Sequence, residues 1–450
     1  MSVRTSLPEK KLSKVLARVE RAQERLARRY PGDSGARQAV HTVYGGAHLF
    51  SSETPKKLGE LALRALDTYA PDAHAFGDAL AIRADLARTV IERVKDKLHR
   101  EAVEDFRIDF EDGYGNRPDD EEDGHAAHAA HEVAAGLAAG TLPPFIGIRI
   151  KPLTRELAAR SLRTLDVFLT ELCGASGGKL PDHFVVTLPK IQTRTDVDAL
   201  VEAFELLEDR LDLDHGALKL EIMVETPQTI QDPQGRAMMP RLHRAAGERL
   251  VSAHFGTYDY TASFDITAAH QKMRHLACDA AKNAMKLAFA GTGIALSDGA
   301  TNIMPVPVHR GKDLSDAQKR ENRDAVWAAW RLHADDVRHS LVNGFYQGWD
   351  LHPAQLVPRY GAVYAFFLDG LAAASERLKN FVGKAAQATL VGDVFDDAAT
   401  GQGLLNYFLR GIACGAVTEQ EALVTGLSLD EIRSKSFVKI MAARRAASPT

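Results

Sequence analysis

The sequence predicts an α/β protein of the (β/α)8 TIM-barrel type, with an N-terminal helix and a C-terminal helical extension. Eight short, mostly apolar segments have the length and composition of buried parallel strands. Segments with helical periodicity separate them, so strand and helix alternate eight times. Charged residues directly follow several of these strands, at the end of the barrel where this fold carries its chemistry.

Each predicted strand is bounded by turn residues or by the start of a helical pattern. The strands are predicted at residues 39–44, 106–110, 145–150, 184–188, 218–224, 251–255, 293–296 and 348–351. Helices are predicted between them at residues 55–68, 84–99, 162–173, 197–211, 236–246, 272–289 and 323–341.

The chain is divided into three parts by these patterns. They are an N-terminal helical segment (1–36), the catalytic barrel (37–360) and a C-terminal helical extension (361–450). Residues 8–29 have helical spacing, and we interpret this helix as packing on the barrel or at a subunit interface. Glu20 and Glu24 interrupt its positive charge, which argues against a nucleic-acid-binding arm.

Composition and charge narrow the classes of function. The 450 residues are 45% hydrophobic and 26% charged, with a net charge of −4, which favours neither nucleic acid nor an anionic membrane as partner. Three scattered cysteines form neither a disulfide framework nor a zinc motif. The N-terminus lacks an apolar signal region, and no run of 18 apolar residues follows. We expect a cytoplasmic protein.

The second strand ends in three carboxylates within four residues, Asp109, Glu111 and Asp112. Such a cluster serves either as helix cap and ion-pair partner or as catalytic machinery. Arg149 lies inside the apolar third strand, where an unpaired guanidinium is costly, so it requires a carboxylate partner. Arg149 then either forms a structural ion pair or uses its guanidinium to hold a substrate carboxylate or oxo group.

The strand–helix–strand unit of residues 218–259 contributes two further carboxylates. Glu225 follows its first strand and Asp259 follows its second. Two oxygen ligands on adjacent strand ends suit Mg²⁺, which takes one or two protein carboxylates and completes its octahedron with water and substrate oxygens. Mn²⁺ is also accepted by such a site. Lys190 follows the fourth strand and is expected to pair with Glu225 or with substrate.

The last strands contribute Asp298 after the seventh and His352-Pro353 after the eighth. Proline suits the first turn of a helix, so His352 is either the cap of that helix or a substrate contact. Two loops are lid candidates: the acidic residues 113–124, which alternatively cap the next helix, and residues 297–312. No phosphate-binding loop, serine elbow or zinc-protease motif is present.

Six short motifs, in the same order along residues 105–360, resemble those of the citrate lyase β-subunit-like proteins. They are Asp109-Phe-Glu-Asp112, Ile148-Arg-Ile150, Leu188-Pro-Lys190, Val224-Glu-Thr-Pro227, Phe255-Gly-Thr-Tyr-Asp259 and Leu351-His-Pro-Ala-Gln355. The wider family includes metal-dependent 2-oxo-acid aldolases, acyl-CoA lyases and related thioesterases.

The resemblance implies Mg²⁺ on Glu225 and Asp259 and a homo-oligomer, a trimer or hexamer. It implies a catalytic set of Arg149, Asp109, Glu111, Asp112 and Lys190, and substrate contacts from Arg149, Gly256, Thr257 and His352. A C-terminal acid reaching a neighbouring subunit corresponds to Asp396 or Asp397.

Two departures bear on the reaction. The aldolases of the wider family carry a histidine where Asp112 stands, which favours the lyase branch. The first strand runs into Gly45-Gly-Ala-His48 and not into the Pro-Gly-x-Arg loop used for CoA phosphates, so use of CoA is left open.

We therefore expect a Mg²⁺-dependent carbon–carbon lyase or aldolase. It would cleave or form a bond next to a 2-oxo acid or a β-hydroxy acyl group through a metal-stabilised enolate. The alternatives are an acyl-CoA thioesterase, a malate-synthase-like condensation on the same site, or a non-catalytic barrel.

Overall fold

A computed structural model confirms the predicted TIM barrel. It describes residues 6–32, 36–383, 389–391, 394–396, 398–434, 436, 439–440 and 443. Eight parallel strands close into a barrel in chain order. They are β1 (His41–Gly46), β2 (Asp105–Asp109), β3 (Phe145–Arg149), β4 (Phe184–Leu188), β5 (Lys219–Val224), β6 (Leu250–Phe255), β7 (Ala295–Ala300) and β8 (Gln347–Asp350).

Helices precede the barrel, connect its strands and follow it. Those up to β4 are α1 (Glu9–Arg29), α2 (Thr54–Tyr69), α3 (Ala73–Leu80), α4 (Ala84–Arg100), α5 (Asp119–Ala139) and α6 (Ala158–Ser176). Those up to β8 are α7 (Arg194–Leu211), α8 (Pro227–Ile230), α9 (Met239–Ala246), α10 (Thr257–Ala262), α11 (Leu276–Phe289) and α12 (Asp316–Val342). Short 3₁₀ turns lie at Ala47–Leu49, Gly247–Arg249, Ala268–His270 and Pro353–Gln355.

The C-terminal extension is mainly helical, as predicted. Its described elements are α13 (Leu356–Gly383), the antiparallel strands β9 (Thr389–Val391) and β10 (Val394–Asp396), α14 (Ala398–Ala413), α15 (Glu419–Leu423) and α16 (Leu429–Arg433). Of the two acids expected to reach a neighbouring subunit, Asp396 ends β10 and Asp397 lies outside the described residues. Within the described chain, no helix combines the length and apolarity needed to cross a bilayer.

The seventh strand was placed wrongly. It was expected to end at Leu296, but β7 continues through Ser297, Asp298 and Gly299 to Ala300. Asp298 is fully buried there, where its carboxylate accepts hydrogen bonds from Lys282 Nζ (3.0 Å) and Ser340 Oγ (2.6 Å). A charged residue continues the strand because α11 and α12 supply its partners, so Asp298 is a buried ion-pair residue and not part of a loop.

The acidic stretch after β2 is mostly the beginning of a helix. Residues Asp119 to Glu122 form the first turn of α5, which favours carboxylates because of the unpaired N–H groups there. Glu122 is fully buried and accepts a hydrogen bond from Lys151 Nζ at 2.6 Å. The helix-capping interpretation is therefore the one that the structure supports for this half of the loop.

The strands place apolar side chains outward against the helices, where the hydrophobic core lies. Phe106, Ile108, Val186 and Ile222 are buried in this layer. Residues of alternate strand positions face the barrel interior, and many of them are polar. The core is thus a ring between strands and helices around a polar centre.

The centre of the barrel holds a network of buried charges. Arg107 of β2 forms ion pairs with Asp105 and with Glu221 of β5, the latter at 2.8 Å. His254 Nε2 lies 2.8 Å from Glu221, and the Tyr44 hydroxyl lies 3.3 Å from His254 Nδ1. Burial opposes ionisation of Glu221, but Arg107 outweighs it and holds the pKa of Glu221 well below its usual range.

We predict that the Arg107→Leu variant loses about 3–5 kcal/mol of unfolding free energy, because it leaves two buried carboxylates without their cation. Urea-induced unfolding measures this change. The matched control is Arg100→Leu, whose exposed ion pair with Asp96 (3.4 Å) should contribute no more than about 1 kcal/mol. Equal losses in both variants would contradict a structural role for the central network.

Candidate active site at the carboxyl ends of the strands

Most of the predicted site residues meet at the carboxyl ends of five consecutive strands. Two of them are the last residues of their strands, Asp109 of β2 and Arg149 of β3. The others follow a strand: Glu111 and Asp112 after β2, Lys190 after β4, Glu225 after β5, Gly256, Thr257 and Asp259 after β6, and His352 after β8. The strand order β2-β3-β4-β5-β6 brings all of these except His352 side by side. Parallel register therefore builds one charged face from residues 150 positions apart.

Asp109 and Arg149 form the buried base of this face. The guanidinium of Arg149 donates to both carboxylate oxygens of Asp109, with Nε 2.7 Å from Oδ1. The same two oxygens also accept the backbone N–H groups of Glu111 (2.9 Å) and Gly113 (2.7 Å). Asp109 is thus committed to these four donors, and Arg149 has the carboxylate partner that its burial required.

Lys190 joins the carboxylates above that base. Its Nζ forms an ion pair with Glu111 and lies 3.0 Å from Asp112 and 3.5 Å from Asp259. Its backbone has φ +49°, in the left-handed region, and its backbone N–H donates to Glu225 Oε1 at 2.7 Å. A non-glycine residue in this region is uncommon, and here the conformation directs the N–H at Glu225.

Glu225 is buried beside Asp259, and the two carboxylates repel each other. Burial raises the pKa of Glu225 to about 8, and the charge of Asp259 adds to the shift. Gly256 allows the close approach of β6, because a Cβ at this position would lie 2.5 Å from the Cβ of Glu225. Asp259 remains 40% exposed, so the pair opens toward solvent.

The pKa values of Glu111 and Asp112 are shifted in opposite directions. Burial raises the pKa of Glu111 to about 7, although the positive charge of Arg149 opposes the shift. Burial also opposes ionisation of Asp112, but contacts with Glu111, Arg149 and Lys190 outweigh it and lower the pKa of Asp112. Adjacent carboxylates whose pKa values are pushed apart are a common arrangement in acid–base catalysis.

Thr257 and His352 lie at the edges of the face. Thr257 begins α10, and its buried Oγ1 has no hydrogen-bond partner among the described residues. His352 Nδ1 accepts the backbone N–H of Ala354 at 3.2 Å, and the Gln355 side chain caps in return. His352 is therefore a helix cap, as one of the two interpretations expected, and it also lines a mostly apolar cavity of about 200 Å³ together with Gly45 and Gly46.

The oxygen donors of Glu225 and Asp259 fit a hard divalent cation. Among the described residues, no three His, Cys, Asp or Glu side chains are arranged as a closed metal cage. Mg²⁺ does not need such a cage, because water and substrate oxygens complete its coordination. A cation would also relieve the repulsion from Asp259, which adds to the effect of burial in raising the pKa of Glu225.

Comparison with protein families identifies the group to which the sequence belongs. A profile described as a domain of unknown function, DUF6986, matches residues 19–440. The chain belongs to the DUF6986 family. No curated protein matches the chain.

Several solved structures are similar to this DUF6986 protein, and the first of those described below shares its fold. A citrate lyase from Burkholderia xenovorans LB400 has 18% identity and a TM-score of 0.54, with 86% of this chain and 96% of that chain covered. A malate synthase from Haloferax volcanii has 14% identity and a TM-score of 0.45, with 86% of this chain and 98% of that chain covered. An HpcH/HpaI aldolase/citrate lyase family protein from Burkholderia cenocepacia J2315 has 12% identity and a TM-score of 0.38, with 75% of this chain and 94% of that chain covered.

Two residues near the site of the DUF6986 protein were not predicted from its sequence. The Tyr44 ring lies 4.8 Å from the guanidinium carbon of Arg149, which it supports from the barrel interior. Lys151 donates to the Phe110 carbonyl at 2.7 Å and so holds the segment that carries Glu111. Tyr44 could have been predicted as a site residue from its position at the end of a predicted strand, because active sites of this fold lie at the carboxyl ends of the strands.

We predict that the unfolding free energy of the metal-free protein falls as pH rises from about 5 to about 8. Glu225 has a folded pKa of about 8 against an ordinary value of 4.5, so between these values the folded state binds more protons than the unfolded state. The contribution is on the order of a few kcal/mol. Urea unfolding in EDTA at several pH values measures it.

The Glu225→Gln variant should show a flatter dependence on pH, because the amide does not titrate. The control is Glu60→Gln on the exposed face of α2, which should keep the wild-type slope. The same slope in the wild type and in Glu225→Gln would show that Glu225 is ionised in the metal-free fold.

Proposed function

We propose that this chain is a Mg²⁺-dependent carbon–carbon lyase or aldolase acting on a 2-oxo acid or a β-hydroxy acyl compound. The observation that carries the proposal is the buried Glu225 beside the half-exposed Asp259, facing Lys190 across the strand ends. The fold shared with a citrate lyase is consistent with this reaction class.

Glu225 and Asp259 would hold the cation, and Lys190 would help to bind an anionic substrate. When bound, Mg²⁺ supplies a Lewis acid that stabilises negative charge on the oxygens of the oxo acid. Gly256 keeps the backbone of β6 close enough for Glu225 to stay in place. Asp259 is the more exposed of the two carboxylates and so faces the incoming substrate.

Arg149 would contribute positive charge from beneath. Its Nε and one Nη are bound by Asp109, and its other Nη lies 3.2 Å from Glu111. Asp109 therefore positions Arg149 and does not transfer protons, since all of its acceptor sites are occupied. This fixed guanidinium needs no reorganisation when negative charge develops on a substrate above it.

Glu111 is the group best suited to move a proton. Its pKa of about 7 allows both protonation states near neutral pH, whereas the pKa of Asp112 is lowered. Lys190 contacts both carboxylates and thus connects Glu111 to the proposed cation site. We assign to Glu111 the transfer of a proton to or from the carbon next to the oxo group.

The first test is calorimetric titration with pyruvate in the presence and absence of Mg²⁺. We expect pyruvate binding that requires Mg²⁺ and that falls at least tenfold in Glu225→Gln and in Asp259→Asn, because each variant removes one anionic ligand. The Glu60→Gln variant should bind as the wild type does. Metal-independent binding, or no loss in either variant, would overturn the proposed cation site.

The second test follows exchange of the pyruvate methyl protons with D₂O by NMR, with enzyme-free Mg²⁺ as background. We expect Glu111→Gln to bind pyruvate but to exchange about 10²-fold more slowly, the usual contribution of a general acid–base group. The Asp112→Asn variant should show a much smaller decrease in the exchange rate. If Glu111→Gln exchanges at the wild-type rate, another group moves the proton.

A further inference from the structure

Helix α1 is a cationic helix whose apolar side chains are not covered by its own chain. It carries eight lysines and arginines and three glutamates, and none of its residues is buried. Val15, Leu16, Val19 and Leu26 each expose half or more of their surface. Among the described residues, no cation of α1 has an ion-pair partner within 4 Å.

The cations of α1 form a row along one side of the helix. Lys11, Lys14, Arg18, Arg21, Arg25 and Arg28 follow one another at spacings of three and four residues. This spacing keeps their side chains on one face, and the exposed Val15, Val19 and Leu26 form a parallel row beside it. From Lys11 to Arg28 the row extends for about 26 Å.

Helix α7 carries a complementary row of carboxylates. Asp198, Glu202, Glu205 and Asp209, followed by Asp212 at the helix end, are spaced by four and three residues. Asp198 pairs with Arg194 at 3.2 Å, whereas no described cation lies within 4 Å of the other four carboxylates. Leu206 lies next to this row and is 61% exposed. The acidic row therefore also has an exposed apolar residue beside it.

We propose that α1 of one copy docks along α7 of a second copy of this chain. The two rows have opposite charge and the same seven-residue period, and each has at least one exposed apolar side chain at its edge. Pairing of α1 with another α1 would place cations against cations. The barrel of the same copy does not cover α1, since no residue of the helix is buried.

The contact joins different surfaces of the two copies and is therefore head-to-tail. Such a contact builds a closed ring when the rotation between copies closes. The backbone N–H of Gly32 donates to the Gly291 carbonyl at 2.9 Å, which anchors the end of α1 near the start of β7. The helix thus projects from a fixed point, and the partner's α7 supplies the surface that covers it.

The test measures the mass of the full chain by light scattering at 0.15 M and 1 M NaCl. We expect an oligomer that dissociates at high salt, because the Debye length falls to about 3 Å. Two variants should be monomeric at low salt while keeping the wild-type circular dichroism: Arg18→Glu with Arg25→Glu on α1, and Glu205→Lys with Asp209→Lys on α7. The control, Lys312→Glu with Arg320→Glu, makes the same charge change at exposed positions outside both helices and should keep the wild-type mass.

Mixing the two monomeric variants distinguishes the head-to-tail contact from any other. In an equimolar mixture the unchanged α1 of one variant meets the unchanged α7 of the other, and the two charge-reversed helices are complementary as well, so the mixture should form an oligomer that contains both variants in a 1:1 ratio. A chain that carries all four substitutions should recover the oligomer, since the charges are exchanged and not removed.

Three results would overturn the proposal. The first is a monomeric wild type at low salt, and the second is an α1 variant with unchanged mass. In the third, both proteins are monomers, and the wild type binds phosphatidylserine vesicles or duplex DNA whereas the α1 variant does not. That result would show that α1 binds a polyanion and not a second copy of the chain.

Discussion

Buried charge in the middle of the barrel is the constraint on which the arrangement of the site depends. Arg107 lies between Asp105 and Glu221, and His254 and Tyr44 complete the layer. TIM-barrel interiors are usually filled by branched apolar side chains, whose contacts are not directional. Here each charge needs its partner at hydrogen-bonding distance, so the strands that carry them are held in one register.

The layer above uses the same principle to hold the candidate site. Asp109 binds Arg149 through both oxygens and also accepts two backbone N–H groups of the segment after β2. The ring of Tyr44 lies beneath the same guanidinium. One aspartate thus fixes the orientation of the arginine and the path of the chain that carries Glu111. Rigid support of this kind is what a preorganised active site requires.

The face above that support has more carboxylates than cations. Glu111, Asp112, Glu225 and Asp259 surround the single ammonium group of Lys190, with Arg149 below them. The raised pKa values of Glu111 and Glu225, about 7 and about 8, are the electrostatic consequence of burial and of this excess. Strongly perturbed carboxylates that meet at the mouth of a barrel are typical of functional sites.

The sequence by itself determined the number of strands, their order and most of the residues at their carboxyl ends, with the end of the seventh strand as the exception. Local patterns suffice for this, because a short apolar run followed by Glu225-Thr-Pro or Asp259 is recognisable without knowledge of its neighbours. The cap formed by His352 was likewise one of two local interpretations. The alternation of Asp105, Arg107 and Asp109 also contained the signal for a polar interior, which period-2 spacing sends to one side of β2.

Only the tertiary structure decided which of these groups are available for chemistry. Asp109 and Asp112 look alike in the sequence, but the first is committed to four donors and the second is exposed. Asp298 has its partners on α11 and α12, and the ammonium group of Lys190 contacts Glu111, Asp112 and Asp259 rather than Glu225. These pairings depend on strand register and on helices distant in sequence, and burial then sets each pKa, so no local pattern specifies them.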